Sequence, residues 1–341
     1  MTESETTIPR LIDNRISKYS GKLLLQRKDG WSWKQITWLD FDRDVKSVAC
    51  FLLDLDFNHG DAVLIISGNR IESLVAEFAV YHLGGVMIPI VKNGAAERIP
   101  EIAEDYHVKF IFVEDDSVLN SLLDVSERMS NLKGIVVFSG TEKGKVERVR
   151  VIQFQSLIKF GMLKRKQLED DLRKITSKVL SRTVACVFYN YASQGAGGRR
   201  EITHQNIIES LKRASEKLFN LDEEEQAYSY LPSFSPYEKM ISYLAIYIGF
   251  RMVVAETRDD FFEDILEVKP TIIYETQCGL EEILSRHLEK NRSSDPRVLR
   301  NELGGRANHI ITDSIPRDEI KELILAAGIN LIELPEINNL I

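Results

Sequence analysis

Short, wholly apolar runs alternate with helix-length amphipathic segments, and this alternation limits the chain to a narrow set of folds. Ala62–Ser67 (AVLIIS) follows a turn at Asn58–Asp61 and reads as a strand. Arg70–Leu83 then places Ile71, Leu74, Val75, Phe78, Ala79 and His82 on one helical stripe, which Gly84-Gly85 ends. Val86–Val91 is a second strand, with Pro89 marking an edge or a strand end. Ala95–Tyr106 reads as a helix, Val108–Val113 as a third strand and Ile135–Phe138 as a fourth. Strand, helix, strand at this spacing implies βαβ units and a parallel sheet. Strands apolar on both faces fit, because such sheets are covered on both sides.

Upstream, Trp33–Leu55 contains a long helix with Phe41, Val45, Val48 and Leu52 on its apolar face. From Gly140 to Lys178 the chain becomes charged, which predicts a solvated connection and an exposed amphipathic helix. Apolar runs resume at Thr183 (TVACVFY), and a second series of strands and helices follows to Ile332. The expected architecture is α/β with two βαβ-type subdomains. Residues 1–178 form the first, with its charged connection at 140–178, and residues 179–341 form the second.

Composition excludes several classes. With 44 Lys+Arg against 52 Asp+Glu the net charge is -8, which disfavours a general polyanion binder but leaves room for a local phosphate pocket. No nucleic-acid partner is expected. The three cysteines, Cys50, Cys186 and Cys278, are far apart and suit a reducing, cytoplasmic setting. The scattered histidines share no ligand spacing, so no metal site is expected. The polar start is unlike a signal peptide, and the longest apolar stretch, Met240–Phe250, is too short to span a bilayer, which needs about 20 residues.

Ligands in parallel α/β sheets bind at the carboxyl ends of strands, which singles out two loops. Asn190–Glu201 (NYASQGAGGRRE) follows the strand TVACVFY and precedes a helix that Thr203 or Asn206 can cap. Its glycines can aim backbone N–H groups at a phosphate, and Arg199 or Arg200 can neutralise it. Taken alone, the same stretch suits a plain surface loop better, and it fits neither a Walker nor a dinucleotide fingerprint. His204, just beyond it, either meets a ligand or packs at the helix start. The second loop, Thr312–Arg317 (TDSIPR), can line a cleft or simply start a helix, with Asp313 or Ser314 as cap. Tyr228, Tyr230, Phe234, Tyr237, Tyr243 and Tyr247 form an aromatic-rich region, mostly core, of which a minority can line an apolar pocket.

The order of these segments resembles the N-terminal domain of adenylate-forming enzymes, especially the long-chain fatty acyl-CoA synthetases. The stretch from Trp31 (WSWKQITW) to the GGVMIPI strand is similar to the family's opening. YLPSFSPYEKM resembles its L-P-L-S-H-x-x-E segment, and VKPTIIYE its K-P-T strand. The resemblance implies a nucleotide-binding loop at Ser193, Gln194, Gly195, Gly197, Gly198, Arg199 and Arg200, closed by Thr203-His204, and an adenine loop at Asp313 and Ser314. It also implies an acyl pocket near Tyr230, Phe234, Ser235, Tyr237 and Glu238.

Against the family pattern, Tyr191 and Ala192 replace small loop residues and Gly198 replaces the phosphate-binding lysine. Asn339 stands where a glutamate holds magnesium, and an amide lacks the anionic oxygen that Mg²⁺ prefers. The chain ends before the family's third subdomain and C-terminal domain. The expectation is therefore a catalytically silent relative with no catalytic residue and no certain cofactor. It would bind an acyl group, a nucleotide or a protein partner such as an active synthetase. The alternative is an ATP- and Mg-dependent fatty acyl-CoA ligase completed by a separate C-terminal part.

Overall fold

The computed structural model describes residues 6–92, 98–126, 128–141, 144–146, 149–189, 198–232, 234–255, 261–291 and 295–335. In chain order the first elements are α1 (Ile8–Tyr19), β1 (Leu23–Asp29), β2 (Ser32–Thr37), α2 (Trp38–Asp54), β3 (Ala62–Ile66), α3 (Ile71–His82), β4 (Val86–Ile90) and α4 (Ile99–Asp105). Then come β5 (Val108–Asp115), α5 (Asp116–Ser126), β6 (Gly134–Ser139), β7 (Gly144–Val146), β8 (Val149–Gln153), α6 (Phe154–Ser177), β9 (Val184–Tyr189), β10 (Arg199–Thr203) and α7 (His204–Lys217). The rest are β11 (Gln226–Ser229), α8 (Pro236–Ile248), β12 (Arg251–Val254), α9 (Phe261–Val268), β13 (Ile272–Tyr274), α10 (Gln277–Asn291), α11 (Pro296–Glu302), β14 (His309–Thr312), α12 (Asp318–Ala326) and β15 (Asn330–Glu333).

The chain forms two compact units, residues 1–21 with 37–208 and residues 22–36 with 209–341. This is not the division at 178/179 read from the sequence. β9 pairs with β4, so the strand leading into the glycine-rich loop belongs to the first unit's sheet.

That sheet has eight strands in the order β10-β9-β4-β3-β5-β6-β8-β7. Its centre is parallel, and β10 and β7 are antiparallel partners at the two edges. All five residues of β3 and of β4 are buried, as expected of strands covered on both faces. Each buried branched side chain contributes about 1.5–3 kcal/mol. Pro89 lies next to the last residue of β4, an interior strand, so it marks a strand end and not an edge.

The charged stretch 140–178 is more structured than its composition suggests. β8 joins the sheet beside β6, and α6 buries Phe154, Leu157, Ile158, Gly161 and Leu172. α6 packs along α2, whose start is fixed by a capping box between Thr37 and Asp40.

The second unit holds a seven-stranded sheet in the order β15-β14-β13-β11-β12-β1-β2. The hairpin β1–β2 was not read from the sequence, because its residues Leu23–Thr37 mix charged and apolar positions without a clear period. β1 pairs in parallel with β12, and β11, β13, β14 and β15 run parallel to their neighbours. Tyr228, Tyr230, Tyr237, Tyr243 and Tyr247 are all buried, as expected for the aromatic-rich region. Among the described residues no helix is long and apolar enough to cross a membrane.

The α2–α6 contact depends on a glycine. A Cβ added at Gly161 would collide with the Ser47 backbone carbonyl of α2. Gly161→Ala should therefore force the helices apart and cost about 1–3 kcal/mol or more, read as a lower urea midpoint. An unchanged midpoint would show that the two helices are not held this close.

Candidate functional site

The chemistry of the second unit gathers where its central strands end. Tyr230, Glu275 and Asp313 are the first residues past the carboxyl ends of β11, β13 and β14, three adjacent parallel strands. Strand ends in an open parallel sheet leave a crevice there, the usual place for a ligand. Here the groups pair with one another. The Tyr230 hydroxyl donates to the Glu275 carboxylate, whose other oxygen accepts from the Thr276 N–H at 2.8 Å. Asp313 Oδ1 accepts from the Gln277 N–H at 2.7 Å. Two carboxylates thus meet the first amides of α10, where the helix dipole favours negative charge. A side chain at Gly279 would strike the Glu275 carboxylate, so this glycine makes room for it.

The Tyr237 hydroxyl donates to the Ile311 carbonyl at 3.1 Å. Burial, then the charges of Asp313 and Glu275, hold this phenol far above its usual range. Glu238 lies on the first turn of α8 and is 1% exposed. Its Oε1 accepts from Ser229 at 2.7 Å and from Ser242 at 3.0 Å. Its Oε2 has no hydrogen-bond partner among the described residues. Burial pushes this carboxyl up to about 8, against the pull of both serines, so at neutral pH it is mostly protonated. A neutral acid in an apolar setting avoids the cost of a bare buried charge.

The acyl-pocket residues read from the sequence therefore divide. Tyr230, Tyr237 and Glu238 come together, buried and hydrogen-bonded. Phe234 and Ser235 are half-buried, and Ser235 is the N-cap of α8 without a side-chain cap bond. Asp313 and Ser314 are half-buried beside them, while Ile315 is exposed. Neither Asp313 nor Ser314 caps the next helix, contrary to that expectation. α12 begins only at Asp318 with Arg317 as N-cap, and Asp313 serves α10 instead. Glu275 was missed. The available signal was an acid directly after the apolar run TIIY and before a helix.

In the first unit, Ser193, Gln194, Gly195 and Gly197 lie outside the described residues, as do Tyr191, Ala192 and Asn339. Gly198 is half-buried, and Arg199 and Arg200 are exposed on β10. Arg199 pairs with Asp105 at 3.2 Å and lies 5.4 Å from the Tyr106 ring centre. Thr203 caps α7 through reciprocal bonds with Asn206, as expected. His204 packs at the start of α7. It is fully buried, its Nδ1 accepts from the Ile8 N–H at 3.5 Å, and its ring meets Tyr81 edge-on at 5.5 Å. Burial, with nearby His82, pushes it down to about 3, so it is neutral. No group of three or more metal-ligating side chains occurs among the described residues.

The fold, with its two parallel-rich sheets, is that of the N-terminal domain of acyl-CoA synthetase-like, adenylate-forming enzymes. It superimposes on the crystal structure of a long-chain-fatty-acid-CoA ligase (FadD1) from Archaeoglobus fulgidus with a TM-score of 0.71 and 15% identity, over 95% of this chain and 61% of that one. A profile of the AMP-binding enzyme family matches residues 13–308, and the chain belongs to that family. Among curated proteins it is 24% identical over 127 residues to the long-chain-fatty-acid–CoA ligase FadD15 of Mycobacterium bovis, covering 37% of this chain and 21% of the relative. It is 23% identical over 279 residues to the long-chain-fatty-acid–CoA ligase ACSBG2 of Rattus norvegicus, covering 79% of this chain and 41% of the relative. The matched segments thus span well under half the length of these two relatives.

Glu238 gives the second unit a pH signature. It titrates near 8 when folded, against an ordinary 4.5. Between these values the folded state holds a proton that the unfolded state has lost, so the group's contribution is full below about pH 4.5 and falls as pH rises through about 8. Urea midpoints should drop more steeply between mildly acidic and mildly alkaline pH in the native protein than in Glu238→Gln. Parallel slopes would mean that Glu238 is ionised throughout.

Proposed function

We propose that this chain keeps the acyl-CoA synthetase scaffold without its chemistry, and binds an acyl group, a nucleotide or a protein partner, such as an active synthetase, without forming an adenylate. One observation carries this reading. The polar groups at the carboxyl ends of β11, β13 and β14 are satisfied by each other, with Tyr230 on Glu275 and Asp313 on the α10 amides. Adenylation needs preorganised groups free to meet the developing charge on a phosphate. Groups already spent on internal hydrogen bonds do not supply it.

The sequence supports the same conclusion. Gly198 stands at the position of the family's phosphate-binding lysine, and Asn339 at that of its magnesium-binding glutamate. Losing several members of one catalytic unit leaves little activity, although their effects are not additive. The three cysteines are free, which suits a cytoplasmic setting.

A second reading has specific support in the names of the relatives. Both curated proteins are long-chain-fatty-acid–CoA ligases. On that reading the chain is the N-terminal part of an ATP- and Mg-dependent ligase, completed by a separate C-terminal part.

Ligand binding is tested by thermal unfolding. A ligand of the folded state at about 100 times its Kd stabilises by about 2.7 kcal/mol. AMP, ATP or a long-chain acyl-CoA should raise the midpoint, and changing Arg199 and Arg200 to Ala should remove the nucleotide share. No shift with any of the three would count against ligand binding. A nucleotide shift that persists in the double variant would remove the two arginines from the site.

A further inference from the structure

A cleft of about 490 Å³ opens in the first unit between α1, α2, the end of α3 and the second half of α6. It lies apart from the strand-end groups of the second unit and from the glycine-rich loop. At its floor lies His82, 1% exposed. The His82 Nδ1 is 2.8 Å from the Phe78 carbonyl, and a carbonyl only accepts, so Nδ1 carries the proton. Nε2 is therefore left as an acceptor. It is buried, has no hydrogen-bond partner among the described residues, and stands 4.0 Å from Asp13 Oδ1. Burial lowers the basicity of this histidine against the pull of Asp13, which keeps it neutral.

The rest of the lining has an unusual balance. Three hydroxyls have already given their protons to backbone carbonyls: Ser17 to Asp13, Thr176 to His82 and Ser177 to Lys174. Toward the cleft they offer lone pairs. Asp13 and Glu169 add carboxylate acceptors. The charged donors are Arg10, Lys46 and Arg173. Lys46 is held by Asp42 at 2.8 Å and lies 3.8 Å from Asp13. Cations and anions are thus mixed around one hollow, and a ligand of either charge meets like charge as well as opposite. Ile16 and Leu172 supply apolar wall.

We propose that this cleft binds a neutral polyhydroxylated small molecule, with two adjacent hydroxyls donating to His82 Nε2 and Asp13 and accepting from Lys46. A hydroxyl donates one hydrogen bond and accepts two at a single neutral atom, which matches a lining of acceptors interleaved with cationic donors. Two acceptors 4.0 Å apart suit a vicinal diol, since each oxygen can lie about 2.8 Å from its own acceptor. Asp13, with a side chain 48% exposed, stands beside Nε2 where the cleft meets solvent. The C–H faces of the ligand pack on Ile16 and Leu172. The buried acceptor then gains the partner that its desolvation otherwise leaves missing.

The test uses the whole chain and three probes, D-ribose, D-glucose and myo-inositol, titrated by calorimetry and by ligand-observed NMR. Cyclohexanol, inorganic phosphate and spermidine serve as comparisons. At least one polyol should bind. Asp13→Ala and Lys46→Met, both at partly exposed side chains, should each weaken it at least tenfold while leaving the circular dichroism spectrum unchanged. His82→Phe should abolish binding. If it unfolds the chain, the two milder variants decide the question. The proposal is overturned if no polyol binds at tens of millimolar, if Asp13→Ala and Lys46→Met leave the affinity unchanged, if cyclohexanol binds equally well, or if only phosphate or spermidine binds.

Discussion

A carboxyl group taken out of water must be neutralised, paired or hydrogen-bonded, and the second unit is organised around that requirement. Glu238 takes the first course. It sits against Ser229 and Ser242 with its proton retained to about pH 8. Glu275 takes the last, accepting from Tyr230 and from the Thr276 N–H just before α10. These partners come from β11, α8, β13 and α10, so the arrangement exists only when the parallel strands are in register. Removing one partner would leave a desolvated acceptor, which costs about 1–3 kcal/mol. The same bonds tie together the polar groups at its strand ends.

The first unit rests on close cover of a parallel sheet. α2 and α6 approach so tightly that only a glycine fits opposite Ser47. α1 packs against α2 and α3, and brings Asp13 over the buried His82. A sheet buried on both faces needs helices on each side, and helices that meet at angles leave hollows between their ends. The polar cleft beside His82 is such a hollow, lined by groups that the packing leaves with unused lone pairs.

Much of this was legible in the sequence, for a reason. β3, α3, β4 and β5 carry strong periodic signals, and their apolar residues have no other stable place. The family likeness ran through the same segments. What escaped was weakly periodic or set by distant partners. β1 and β2 mix charged and apolar positions, and β8 lies in a stretch whose charged residues suit a strand near the sheet edge. The role of Asp313 could not be seen from its own loop, because the amide it caps lies on α10. His204 could be read from its neighbours in sequence as a ligand contact or as a packed residue, and its burial comes from α1 and α3, far away along the chain. Desolvation depends on three-dimensional neighbours, so the buried carboxyls could be named as candidates but their state could not be read.

On the proposed reading, an adenylate-forming scaffold here lacks the groups that handle triphosphate. ATP–pyrophosphate exchange by the purified chain, with Mg²⁺ and fatty acids of graded length, measures this directly. Exchange should be no faster than in the absence of protein, even at high protein concentration. Fatty-acid-dependent exchange, with acyl-AMP identified by mass spectrometry, would contradict it.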